Sequence, residues 1–239
     1  MRRVRLLAFA AATAVAAITA VGLTAGAASA SVSGTVHTSG SALTVRSGPS
    51  SAYTSWGSVA NGGTVAIDCQ LNGQSVTGTY GTTTLWDQLT SGGWVSDAYI
   101  YTGSDGQVAP TCAYAASPPR ANPRGADAAI SWEFARLGDT SQEGWCLRFQ
   151  AQAYGWTAAG FNTAQDMYSW LNSHGYIHTG TPPRGALVWY PNSAGTGHVT
   201  VSIGAGKVIG TSVPNKVGVA NYNYRTVYGW SIAYFPNAG

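Results

Sequence analysis

Gly144-Trp145-Cys146-Leu147-Arg148-Phe149 is the stretch on which the reading of the fold turns. It leaves a polar loop through a glycine and enters a run in which Leu147, Phe149, Ala151 and Tyr154 can anchor one side of a helix. That helix is expected from about Trp145–Cys146 to Tyr154. A helix before it would be capped by Asp127, run through Ile130, Trp132, Phe134 and Leu137, and stop at Gly138. A third would start at Thr163, with Asp166 in capping-box position, and end near Gly175. After the turn at Pro182-Pro183-Arg184-Gly185 everything reads as strand: Ala186 to Tyr190, His198 to Ile203, Lys207 to Ser212 and Val227 to Tyr234. Helices first and an antiparallel sheet after them define an α+β arrangement.

The same stretch carries the candidate chemistry. The chain has three cysteines, Cys69, Cys112 and Cys146. Residues 1–30 read as a secretion signal: Arg2, Arg3 and Arg5 precede a long Ala/Val/Leu/Ile run that closes on Ala28-Ser29-Ala30. In an oxidising compartment Cys69 is expected to bridge Cys112, contributing about 2–4 kcal/mol, and Cys146 is left over as a free thiol. A thiol at a helix N-terminus is placed to ionise, because the free N–H groups and the helix dipole favour the thiolate. A buried structural cysteine is the alternative.

A thiolate nucleophile needs a base. His37 lies in the first half of the chain, and His174 and His178 flank Gly175 at a helix end. His198 follows Thr196-Gly197 and opens a strand in which His198, Thr200 and Ser202 alternate with Val199, Val201 and Ile203. An imidazole on that polar face can reach a helix N-terminus packed on the sheet, so His198 is the candidate base. A solvated surface histidine is the alternative.

Composition limits the partners. Three of the twelve basic residues lie in the leader, which leaves nine bases against nine acids in the remainder. A general attraction to nucleic acid is therefore not expected. No Cys/His cluster has ligand spacing, so neither metal nor cofactor is expected. Charged residues make up only 9% of a chain with 9 Trp and 13 Tyr, a composition better suited to sugars and peptides than to phosphates. No segment beyond the leader has the length of a membrane span. A soluble, exported monomer is expected.

From about Ser33 to Gly103 short apolar runs (Ala42 to Val45, Thr64 to Ile67, Leu85 to Leu89, Trp94 to Ile100) alternate with turn signals such as Gly48-Pro49, Asn72-Gly73 and Ser91-Gly92-Gly93. A small closed barrel satisfies this pattern, because closure removes exposed strand edges. Residues 104–126, with Pro110, Pro118, Pro119 and Pro123, read as a semi-rigid linker.

Two resemblances follow. Gly144-Trp145-Cys146, then Pro183-Arg184-Gly185-Ala186-Leu187-Val188-Trp189-Tyr190, then Gly197-His198-Val199-Thr200-Val201-Ser202-Ile203-Gly204 occur in an order that resembles the NlpC-type papain-like cysteine peptidases. The likeness to the cysteine/histidine-dependent amidohydrolases is weaker. It covers roughly Asp127 to Tyr234, and implies Cys146 as nucleophile and His198 as base in cleaving amide bonds of cell-wall peptides. Ala186 stands where the family motif usually has Asp. The family's third, imidazole-orienting residue maps onto Gly210, which has no side chain, so Ser212 becomes the candidate third member, with Thr211 behind it.

Leu43-Thr44-Val45-Arg46-Ser47-Gly48-Pro49 together with Gly93-Trp94-Val95-Ser96-Asp97-Ala98-Tyr99-Ile100 resembles the bacterial SH3-like domain. That likeness implies a module that binds peptidoglycan peptides. The expected architecture is therefore multidomain: a signal peptide (1–30), an all-β SH3-like barrel (31–103), a linker (104–126) and an α+β papain-like domain (127–239). The missing side chain at Gly210 keeps open a catalytically silent wall-binding protein. The same thiol would also serve acyl transfer or cross-linking.

Overall fold

The structure, a computed structural model, describes residues 31–239, so the expected signal peptide lies outside the described residues. Seven antiparallel strands form the first sheet: β1 (Val32–Val36), β2 (Leu43–Arg46), β3 (Ser55–Val59), β4 (Thr64–Gly78), β5 (Gly81–Leu89), β6 (Trp94–Ser96) and β7 (Ile100–Tyr101). Their order is β3-β2-β6-β5-β4-β1-β7. Val36, Val45, Val65, Ile67, Leu89, Val95 and Ile100 bury the shared interior, and Trp86 and Trp94 pack beside the Cys69–Cys112 disulfide in a second cluster.

Two features of this sheet were not legible in the sequence. β1 and β3 lack sustained alternation and were not expected. Asn72-Gly73 is not a turn: β4 runs through it with an irregular register between Asn72 and Val76, and the reversal comes just before Gly81. The glycine is needed there because a Cβ on residue 73 would lie 2.2 Å from the Pro49 carbonyl oxygen.

The second half has three helices, α1 (Ala126–Phe134), α2 (Cys146–Ala153) and α3 (Ala164–Ser173). They lie with a five-stranded antiparallel sheet of β8 (Leu187–Tyr190), β9 (His198–Gly204), β10 (Lys207–Gly210), β11 (Gly218–Asn221) and β12 (Gly229–Ser231), ordered β11-β10-β9-β8-β12. α3 begins as its sequence dictates, with Thr163 and Asp166 forming a reciprocal capping box. α1 differs from expectation. Its cap is Gly125 and it ends at Phe134. Asp127 sits in the first turn and turns its carboxylate outward to Arg184 Nε, 2.8 Å away. Among the described residues no helix is long and apolar enough to cross a membrane.

Val199, Val201 and Ile203 of β9 face the helices and join Phe149, Ile130, Met167 and Leu171 in the main core. The opposite face of β9 is not solvated, contrary to the alternation reading. Thr200 and Ser202 are fully buried, because Tyr222, Tyr224, Val227 and Trp230 fold over that face and pack on Val188, Tyr190 and Val208. The hydroxyls find local partners: Thr200 with Tyr190 Oη at 3.1 Å, and Ser202 donating to the Pro182 carbonyl at 3.0 Å.

The two halves are joined by polar and aromatic contacts. Arg184 is buried and donates through Nη1 to the Ile203 carbonyl at 2.6 Å and through Nη2 to the Ser47 carbonyl of the first sheet's edge loop. Gln88 Nε2 donates to the Ile203 carbonyl from the other side at 2.6 Å. Thr54 exchanges hydrogen bonds with Ser131 of α1, and Trp56 sets its ring edge-on to Phe134, centroids 4.4 Å apart. Residues 104–125 contain no helix or strand, yet they are strapped down. Gln70 Oε1 accepts from the Val108 and Ala109 N–H groups, Arg120 donates to the Ala238 carbonyl, and Arg124 donates to Gln152 and Ala153.

Removing one member of a buried, hydrogen-bonded ion pair leaves the other charge stranded. Arg184→Met is therefore expected to destabilise the protein by about 3–5 kcal/mol in urea denaturation. Arg184→Lys should recover little of this, since one ammonium cannot replace a planar fork serving three acceptors. Equal midpoints for wild type and Arg184→Met would refute the role given to Arg184.

A second expectation concerns Asp87. Burial, then the neighbouring Asp97 charge, raises its pKa to about 7, against a hydrogen bond from Gln70 Nε2 at 2.6 Å. A carboxyl raised in the folded state favours folding most below the unfolded value. That contribution is lost as pH rises through about 7. Asp87→Asn should raise the melting temperature at pH about 8 and flatten its fall between pH about 5 and 8. Parallel melting curves for the two proteins across that range would contradict it.

Candidate functional site

The loop before α2 turns at Gly144, where φ is +79°, a conformation that costs glycine little. Trp145 is the N-cap residue and makes no side-chain cap bond. Cys146 is the first helical residue, and it is the free cysteine. Its thiol is drawn in two directions. Burial raises its pKa, while the backbone N–H groups of Val199, Leu147 and Cys146 itself, and then the charge of Arg225, oppose the rise. The raised direction prevails. At neutral pH the resting group is a thiol.

Cys146 opens onto a cavity of about 660 Å³ between the start of α2, the start of α3 and the sheet edge. His198, the first residue of β9, lines the same cavity. Asn192 holds the turn that delivers it, accepting from the Thr196 and Gly197 N–H groups at 3.0 Å and donating to the Gly197 carbonyl at 2.9 Å. His198 is 4% exposed, its ring centroid sits 5.7 Å from that of Tyr190, and Nε2 has no hydrogen-bond partner among the described residues. Burial first, and then the Arg225 charge, lowers its pKa to about 4. At pH 7 both groups are neutral, a thiol and an imidazole lining one cavity, with no hydrogen bond between them among the described residues.

The other histidines are engaged elsewhere. His37 stacks on Tyr101, His174 lies on the Trp170 ring at 3.8 Å, and His178 lies on Trp230 at 4.6 Å.

The residues considered for a third member fall differently from the sequence expectation. The hairpin pairs Ile209 with Val201, so Gly210 packs against Thr200, where a Cβ would approach Thr200 Cγ2 to 2.9 Å. Thr211 is fully buried with its hydroxyl unpartnered. Ser212 lines the cavity but has left the strand, with φ +55°. Its hydroxyl donates to Glu143 Oε2 at 2.6 Å, its N–H donates to Glu143 Oε1 at 2.8 Å, and its carbonyl accepts from Arg225 Nη2 at 2.9 Å. Ser212 is thus a strut between an acid and a base, with its hydroxyl committed to Glu143 rather than to His198.

Glu143 and Arg225 both line the cavity, and neither was found by sequence reasoning. The usable signal was scarcity. In a chain with 9% charged residues, an acid three positions before the free cysteine and an arginine inside a tyrosine-rich segment stand out. Among the described residues no three His, Cys, Asp or Glu side chains gather in a way that would hold a metal ion.

No protein-family model matches the chain. Two solved structures align over most of it: NlpC2 from Trichomonas vaginalis, at 15% identity and TM-score 0.33, covers 87% of this chain and 73% of that one. NlpC1 from the same organism, at 14% identity and TM-score 0.35, covers 85% and 69%. Sequence similarity is stronger over a shorter stretch. Uncharacterized protein YraI of Bacillus subtilis (strain 168) is 45% identical over 92 residues, which are 34% of this chain and 75% of that protein. Uncharacterized protein YraJ of the same strain is 42% identical over 87 residues, 33% of this chain and 74% of that protein. Over about a third of its length, the chain therefore belongs to the family of YraI and YraJ.

Proposed function

We propose that the protein is a secreted cell-wall hydrolase that cleaves amide bonds in peptidoglycan peptides, with Cys146 as nucleophile and His198 as general base. The first sheet would serve as an SH3-like targeting module for the same wall. The observation that carries this reading is the meeting of the free Cys146 and His198 at one cavity, from elements far apart in the chain. The ordered likeness to the NlpC-type motifs and the leader sequence support it. The Cys69–Cys112 disulfide is compatible with an exported protein.

In this mechanism the neutral imidazole takes the Cys146 Sγ proton as sulfur attacks the amide carbonyl carbon. The oxyanion is met by the N–H groups at the start of α2. The carbon–nitrogen bond then breaks, the leaving amine takes the proton from His198, and a thioester remains on Cys146. Water, deprotonated by His198, attacks the thioester carbon and releases the acid and the thiol. Ser212 is assigned to holding the loop that carries it against Glu143, not to orienting the imidazole.

Release of free amine from purified peptidoglycan checks the reading. Cys146→Ala should abolish release, and His198→Ala should slow it about 10²–10⁴-fold. With His198 at about 4, the acid limb of kcat/KM should lie near that value. Activity should vary little between pH about 5 and 8. Undiminished release by Cys146→Ala rules the mechanism out.

A second reading is a wall-binding protein with a silent site, favoured by the unpartnered His198 Nε2 and the raised thiol. Equal sedimentation of wild type and Cys146→Ala with cell walls, with no peptide released by either, would select it. Acyl transfer by the same thiol would show as a new amide in the product mass instead of an acid.

A further inference from the structure

The cavity holds a charge arrangement that a Cys–His pair alone does not account for. The side chains that face Cys146 with charge or a titratable proton come from three places. Glu143 and Arg148 flank it on its own segment, His198 opens β9, and Tyr224 and Arg225 follow β11. Arg148 lies with its guanidinium 4.1 Å over the ring of exposed Trp145, and its Nε is buried without a hydrogen-bond partner among the described residues. Both oxygens of Glu143 accept from Ser212. His198 is buried, has no partner at Nε2, and has no carboxylate hydrogen-bonded to it that would favour the protonated ring.

Arg225 lines the same cavity. It is permanently charged, and among the described residues it makes no ion pair, the single one being Arg184 with Asp127. It is also fixed in place. Nη2 donates to the Ser212 carbonyl at 2.9 Å, and the guanidinium lies 5.1 Å from the Tyr224 ring centroid. Ser212 is itself pinned by Glu143. This chain of contacts holds a guanidinium at the wall of the cavity that Cys146 opens onto.

We propose that Arg225 is the counter-charge of the Cys146 thiolate, the part a protonated histidine plays in an ion-pair mechanism. Arg225 is a positioning residue: it exchanges no proton and acts through the sulfur's charge. As the proton passes from Sγ to His198, the negative charge forms opposite a fixed guanidinium. His198, next to the same cation, surrenders that proton readily to the leaving amine. The direction of both neighbouring titrations agrees, since Arg225 pulls the thiol down and the imidazole down together. The inference rests on Cys146 being the nucleophile proposed above.

The test is the rate of iodoacetamide alkylation of Cys146 in the full chain as a function of pH, followed by adduct mass. With the Cys69–Cys112 disulfide intact, Cys146 is the thiol available. Arg225→Met and Arg225→Gln should move the profile upward by about one pH unit, slowing alkylation at pH 7 about tenfold. Arg225→Lys, which keeps the positive charge, should keep the wild-type profile. Arg225→Gln retains an N–H for the Ser212 carbonyl, so it carries the comparison should Arg225→Met not fold. A profile unmoved in Arg225→Gln, or moved as far in Arg225→Lys, overturns the inference. No wall peptide is needed for this titration. An Arg225-dependent thiol in a protein that releases no peptide therefore removes the hydrolase reading alone.

Discussion

The buried guanidinium of Arg184 holds the architecture at a three-way junction. It binds Asp127 in the first turn of α1, the Ile203 carbonyl at the end of β9, and the Ser47 carbonyl in the loop after β2. Those three points belong to a helix, to the central strand of one sheet and to the edge of another. Arginine suits the position because its planar fork can serve several acceptors at fixed angles, which an ammonium cannot do. The cost of burying the charge is offset only because Asp127 and the two carbonyls stay in place. Loss of any one would strain the rest. The placing of α1 and β9 against the first sheet, and with them the wall of the cavity, depends on this junction.

Burial also governs the chemistry of the candidate site. The aromatic segment after β11 covers what alternation alone would leave as a wet face of β9. Burial disfavours every charged form, so it raises the thiol and lowers the imidazole. A Cys–His pair in such a place rests uncharged. Its reactivity then depends on groups whose charge does not titrate near neutrality. The helix N–H groups and Arg225 are of that kind, whereas Glu143 is engaged by Ser212. Burial suppresses the thiolate, and the backbone N–H groups and Arg225 work against that suppression.

Much of the local structure was legible because it is governed by near neighbours. The Thr163–Asp166 box announces α3, and the alternation of Val199, Val201 and Ile203 announces the core face of β9. The odd cysteine count singled out Cys146 before any geometry was known, and the Cys69–Cys112 disulfide takes up the other two cysteines. Failures came where a distant contact overrides a local preference. Asp127 has cap chemistry, yet it is recruited by Arg184 from a residue far along the chain. Asn72-Gly73 has turn chemistry, yet the glycine serves the close approach of Pro49, and the strand continues.

By itself, the sequence determined the α+β order of the second half, the β character of the first, and the free thiol at a helix start with a histidine at a strand start. Each of these follows from periodicity, capping or counting over a few residues. Only the tertiary structure decided that Cys146 and His198 share a cavity, that Ser212 answers to Glu143, and that Arg225 is tied to Ser212 at the same cavity. The physical reason is range. Capping and alternation act over a turn or two, whereas burial, desolvation and charge depend on which remote segments close over a site. In this chain, that closure is made by a tyrosine-rich segment whose local pattern carries no sign of its destination.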